Sequence, residues 1–124
     1  MNASSPYRVV WVTAPDLKTA RRIAQAVLGA RLVACANLIP KLESHYWWKG
    51  RVESASEVLL IMKTKASLLA ELERMVLALH PYETPEFVVM SLKGGNSHYL
   101  KWISDSTQSR SFSRATAKRP KAED

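Results

Sequence analysis

The turn signal "KG" at residues 49–50 joins two extended arms of roughly 15 residues each, and their length limits what the chain can fold into. At ~3.3 Å per residue such arms reach ~50 Å. The two amphipathic helices that flank them are about 14 residues long, only ~21 Å at ~1.5 Å per residue. A single layer of helices therefore cannot cover the hairpin. The uncovered end carries Tyr46, Trp47 and Trp48. Long apolar strand edges invite pairing with another chain, so the arms predict an obligate oligomer in which a neighbour buries them. Pro40 cannot donate to a ladder, which puts the first arm at a sheet edge or on a bulge.

The remaining elements follow from hydrophobic periodicity. "YRVVWVT" at 7–13 is apolar on both faces, as a central strand is. Pro15 and Asp16 open a helix in which Leu17, Ala20, Ile23, Ala24, Val27 and Leu28 share one face, and Gly29 stops it. The second strand runs from about Arg31 to Trp48 and the third to about Thr64. Leu68, Leu69, Leu72, Met75, Val76 and Leu79 draw the second helix, closed by Pro81. "EFVVMSL" at 86–92 is a fourth strand, and Asn96 caps a last short helix presenting Tyr99, Trp102 and Ile103. The order β-α-β-β-α-β plus one helix predicts an α+β, ferredoxin-like sandwich over residues 1–108.

This topology brings three segments to one end: "TAPD" (13–16), the hairpin tip "YWWKG" (46–50) and "HPYETPE" (80–86). His80 is a candidate metal ligand, and Glu83 and Glu86 offer carboxylate oxygens. The other reading of His80 is an imidazole bonded to the last carbonyls of the preceding helix. Tyr82, Trp48, Lys49, Glu86 and Asp16 are expected around a pocket or subunit interface at the same end. Nothing beside the glutamates supplies a nucleophile, so no catalytic residue is assigned and the chain is read as non-enzymatic.

Net charge is +7, but its distribution weakens a nucleic-acid reading. Residues 109–124 carry five Lys/Arg against two acids in a Ser/Arg/Ala/Lys-rich stretch, read as a basic disordered tail. The third strand lacks the aromatics of an RNA-recognition sheet, and "TAPDLK" lacks the glycine and arginine of a phosphate loop. No specific nucleic-acid partner is expected. No apolar run approaches the ~20 residues of a spanning helix, so no membrane partner is expected either. The lone Cys35 excludes an intrachain disulfide, and "MNASSPYRVVWV" has no basic start or unbroken apolar run. A cytoplasmic protein is the expectation. Cys35, among Val33, Ala34 and Ala36, reads as a small buried hydrophobe.

Six blocks together resemble the CutA family of divalent cation tolerance proteins: "VTAPD" (12–16), "RLVACANLIP" (31–40), "YWWKGRVE" (46–53), "EVLLIMKT" (57–64), "HPYETPE" (80–86) and "YLKWI" (99–103). The resemblance implies a homotrimer of ferredoxin-like subunits with hairpins paired between neighbours. It also implies association with copper or another divalent cation, with no cofactor required. Family members proposed to hold copper place a cysteine before "TAPD" and a second histidine before "HPY"; this chain has Val12 and Leu79 there. A second functional reading is by fold analogy with trimeric signalling proteins of the PII kind, which bind a small-molecule effector in clefts between subunits.

Overall fold

In the computed structural model, which describes residues 5–108, the element order is β1 (Tyr7–Ala14), α1 (Leu17–Gly29), β2 (Cys35–Trp48), β3 (Arg51–Lys65), a 3-10 turn (Ala66–Leu68), α2 (Leu69–Leu79), β4 (Val88–Ser91) and α3 (Ser97–Ser106). The basic stretch 109–124 lies outside the described residues. The four strands form one antiparallel sheet in the order β2-β3-β1-β4, the ferredoxin-like arrangement that the element order implies.

Alternation along the strands sorts side chains to two faces. Val10, Val12 and Ala14 of β1 and Val58, Leu60 and Met62 of β3 point to the face covered by α1 and α2. There they meet Ala20, Ile23, Ala24 and Val27 of α1 and Leu72 and Val76 of α2. Each large aliphatic side chain buried here contributes ~1.5–3 kcal/mol relative to exposure. Asp16 caps α1 by accepting the Thr19 amide at 2.8 Å, and Asn96 caps α3 by accepting that of Tyr99 at 3.0 Å.

The other face has Trp11, Thr13, Leu59, Ile61 and Lys63. At its lower end α3 closes over it: Tyr99 Oη lies 3.7 Å from Cys35 Sγ, and Tyr7 Oη lies 3.1 Å from Ser104 Oγ. Cys35 is thus half-buried under a tyrosine hydroxyl rather than sealed in the aliphatic core. At the upper end of this face Thr13, Glu57 and Leu59 are also buried within the protomer, where Tyr82 reaches Glu57.

Two boundaries differ from the sequence reading. The second strand starts at Cys35, not Arg31, because Arg31 has φ 64° and the chain turns there. Leu32 and Val33 plunge into the core, fixed by the Thr64 hydroxyl donating to Leu32 O at 2.6 Å and the Ala34 amide donating to Lys63 O at 2.8 Å. The fourth strand is confined to Val88–Ser91, since only Arg8–Trp11 of β1 pair with it.

The long hairpin is present, closed by Lys49 (φ 51°) and Gly50 (φ 80°), the left-handed pair of a tight hairpin turn. Only residues 58–65 of β3 pair with β1, so residues 51–57 pair with 42–48 alone, and this two-stranded ribbon projects beyond the sheet. Trp47 is 73% and Val52 62% exposed on it. Pro40 sits both on an edge strand and in a bulge. Ile39 lies opposite Leu59 but Leu42 opposite Glu57, so three steps on β2 span two on β3, and Lys41 takes φ 64° to absorb the extra residue. The bulge reverses the parity of β2. Below it the odd residues Asn37 and Ile39 share the face opposite α1 and α2; above it the even residues Leu42, Ser44, Tyr46 and Trp48 do.

Candidate functional site

That parity switch helps form a cavity at the upper end of the face opposite α1 and α2. Trp11, Thr13, Leu59 and Glu57 belong to the sheet side of its wall, the ribbon supplies Leu42 and Ser44 through Trp48, and the segment 81–86 completes it. The volume is about 1030 Å³, with walls mainly apolar.

The segment after α2 is pinned by its first residue. His80 ends α2 in an extended conformation (ψ 134°) and is 8% exposed. Its Nε2–H donates to the Thr13 carbonyl at 2.7 Å, while Nδ1 accepts the Tyr82 amide at 3.2 Å. Those two bonds define the neutral tautomer with its proton on Nε2. The Tyr82 ring packs on the imidazole at a centroid distance of 4.7 Å. Its hydroxyl then donates to Glu57 Oε2 at 2.7 Å. A continuous chain of contacts thus links β1, the end of α2 and the base of the ribbon.

Electrostatics follow from this arrangement. Glu57 is 7% exposed, a nearly buried carboxylate with a tyrosine donor. Burial, and then the Glu57 hydrogen bond and charge, raise the Tyr82 pKa, holding the hydroxyl protonated as the donor. Glu86 lies at the rim. Partial burial, and then the Glu57 charge, push its carboxyl above the ordinary range.

The sequence candidates separate accordingly. Trp48, Tyr82, Glu83 and Glu86 line the cavity. Lys49 does not; its Nζ sits 5.7 Å from the Trp48 ring centroid, outside the cavity wall. Asp16 is a helix cap, its carboxyl held below the ordinary range by the Thr19 amide. His80 lies behind Tyr82, and its partner is the carbonyl of Thr13 on β1, not one of α2 as the helix-end reading has it. Glu57 was missed by sequence reasoning. Its signal was a carboxylate at the head of the apolar run "EVLLIM".

The residues present do not make a metal-chelating set within one protomer. Both imidazole nitrogens of His80 are engaged, and among the described residues no three His, Cys, Asp or Glu side chains gather as ligands. Val12 and Leu79, directly before "TAPD" and "HPY", add no ligand. Nor does a triad form among the described residues. His45 Nε2 meets Glu43 at 2.7 Å on the ribbon, and strand alternation directs Ser44 to the opposite face.

Comparison with known proteins agrees with the geometry. The family model described as CutA1 divalent ion tolerance protein matches residues 8–106. A rice protein (Oryza sativa subsp. japonica) named Protein CutA 1, chloroplastic, is 44% identical over 103 residues, which are 83% of this chain and 58% of that protein. The divalent-cation tolerance protein CutA of Thermus thermophilus is 42% identical over 99 residues, covering 80% of this chain and 96% of that one. The crystal structure of CutA1 from Oryza sativa matches with a TM-score of 0.81 at 43% identity, over 85% of this chain and 96% of that chain. Against the rice, mouse, human and Arabidopsis proteins the chain spans only 55–58% of their length.

The cytoplasmic expectation does not hold. The rice and Arabidopsis relatives are named chloroplastic, and a matching structure from Archaeoglobus fulgidus (35% identity, TM-score 0.80, 82% of this chain and 99% of that chain) is called periplasmic. Neither a single cysteine nor the composition of the first residues assigns a compartment here. The matched core, the four-stranded ferredoxin-like sheet and the projecting hairpin converge on one conclusion: the chain belongs to the CutA1 divalent ion tolerance family.

Proposed function

We propose that this chain acts without catalysis, as a homotrimer contributing to divalent-cation tolerance, and that it binds a small effector in a cleft beside each hairpin. The carrying observation is the ribbon of residues 42–48 and 51–57. It pairs only with itself and leaves Tyr46, Trp47 and Val52 exposed. A two-stranded hairpin with an apolar surface is marginal in water, so the arrangement favours burial by neighbours. The opposite edge strand β4 is free on its outer side within the protomer, and Val88, Val89 and Met90 are also exposed. Threefold association is the arrangement implied by the family resemblance.

The cavity supports the effector half of the reading over a bound copper or other divalent ion, because its walls are broad and apolar while the candidate ligands are dispersed or engaged. Sedimentation equilibrium of the full-length chain tests the assembly. A species at three protomer masses that persists on dilution is the expected result, and a stable folded monomer overturns it.

A further inference from the structure

We infer that in the assembled protein Arg51, at the tip of one hairpin, pairs with Glu57 at the base of a neighbouring one, so that a second copy of the chain completes each upper-end site. The inference deepens the assembly reading above and rests on it. Within one protomer both groups are left short. Glu57 is 7% exposed, its Tyr82 donor is neutral, and among the described residues no cation forms an ion pair with the carboxylate. A buried charge with so little compensation is costly. Arg51 has the opposite deficit: it is exposed, and among the described residues its guanidinium has no acceptor. The protomer cannot join the two. Leu42 lies opposite Glu57 and Trp48 opposite Arg51, so both charges stand on one face of the ribbon, ~20 Å apart at ~3.3 Å per residue.

A threefold ring supplies the missing contact. Its boundaries are heterologous, so one patch of a copy meets a different patch of the next. The two ends of the ribbon are complementary in charge: Lys49 and Arg51 at the tip, Glu57 with Glu83 and Glu86 at the base. Among the ribbon's cations, Lys49 lies against the Trp48 ring and Lys41 sits in the bulge outside the ladder, whereas Arg51 shares the face of Glu57. Glu53 is nearer on that face but makes no ion pair with Arg51 in the protomer. The Tyr82 hydroxyl takes Oε2 of Glu57, and a carboxylate accepts about four hydrogen bonds, so capacity remains for the guanidinium fork. Tyr46 and Trp48 stand on the same face, and a neighbour that covers them also keeps water from the pair.

The test mixes two full-length variants. Arg51→Met removes the guanidinium but keeps an apolar stem. Glu57→Gln removes the charge, and its amide oxygen can still accept the Tyr82 hydroxyl. In sedimentation dilution series each should raise the protomer concentration at half-assembly by at least about tenfold, the size of one charge-assisted contact. The double variant should be little weaker than the weaker single one. A one-to-one mixture of the two single variants should assemble more tightly than either alone, because a mixed ring keeps one original Arg51–Glu57 boundary. If Glu57→Gln fails to fold, Glu57→Asp, which draws the carboxylate back, takes its place. Additive effects, or a mixture no tighter than its components, overturn the pair while leaving the assembly. A stable folded monomer of the original chain overturns the assembly and the pair with it.

Discussion

The Tyr82 hydroxyl donates to Glu57 Oε2 at 2.7 Å, joining the segment after α2 to the strand that extends into the projecting ribbon. Without that donor a carboxylate only 7% exposed loses its Tyr82 partner, so the ring of Tyr82 is less important here than its oxygen. Tyr82→Phe should destabilise the fold by about 1–3 kcal/mol, the cost of a buried acceptor left short. Urea unfolding at fixed protomer concentration measures it. In a double-mutant cycle with Glu57→Gln the two effects should fall short of additivity; strict additivity would mean that the pair is not coupled.

His80 should behave as a structural pin. His80→Phe keeps a flat ring but deletes the bonds to Thr13 O and from the Tyr82 amide, for an expected loss of about 1–3 kcal/mol. Calorimetric titration with Cu(II) and with Zn(II) should give the same isotherms for the folded variant as for the original chain. Selective loss of metal binding in the variant would place His80 in a metal site after all.

The sequence made these elements legible to different depths. Lys49–Gly50 and the Pro15–Asp16 helix start were readable because local backbone chemistry alone dictates them. The gathering of Trp48, Tyr82, Glu83 and Glu86 was readable because topology puts those segments at one end. Glu57 was not, since it lies 25 residues from Tyr82 and its facing depends on strand register. The tautomer of His80 was equally hidden. It is fixed by a carbonyl 67 residues away, and periodicity says nothing about such a contact.

The bulge at Pro40–Lys41 should decide whether the cavity exists. Deleting Lys41 restores unbroken alternation along β2 and turns Tyr46 and Trp48 to the opposite face of the ribbon. The expected result is loss of the proposed trimer in sedimentation and an altered tryptophan emission maximum. Lys41→Gly is the control, because glycine accepts φ 64° freely. Relief of ~1–2 kcal/mol of left-handed strain is offset by the ~0.5–1 kcal/mol entropic cost of glycine, so the change should be small or mildly stabilising. A folded deletion variant with the original assembly would show that the parity switch is dispensable.

Glu86 should make stability fall as its carboxyl ionises. Partial burial, and then the charge of Glu57, raise its folded-state pKa, so the folded chain holds that proton more tightly than the unfolded chain does. The resulting stabilisation is fully present below the unfolded pKa and is lost as pH rises through the folded value, leaving none at neutral pH. Glu86→Gln removes the titration. Relative to the original chain it should therefore be more stable near about pH 7 than near about pH 4 once the constant effect of the substitution is subtracted. The difference should stay below about 1 kcal/mol, because the side chain is exposed at the rim and its charge is screened by water. Carbon-detected NMR titration supplies the direct check: the Glu86 carboxyl should titrate above the ordinary range and move back toward it in Glu57→Gln. A Glu86 pKa indifferent to Glu57→Gln would separate the rim from the buried carboxylate.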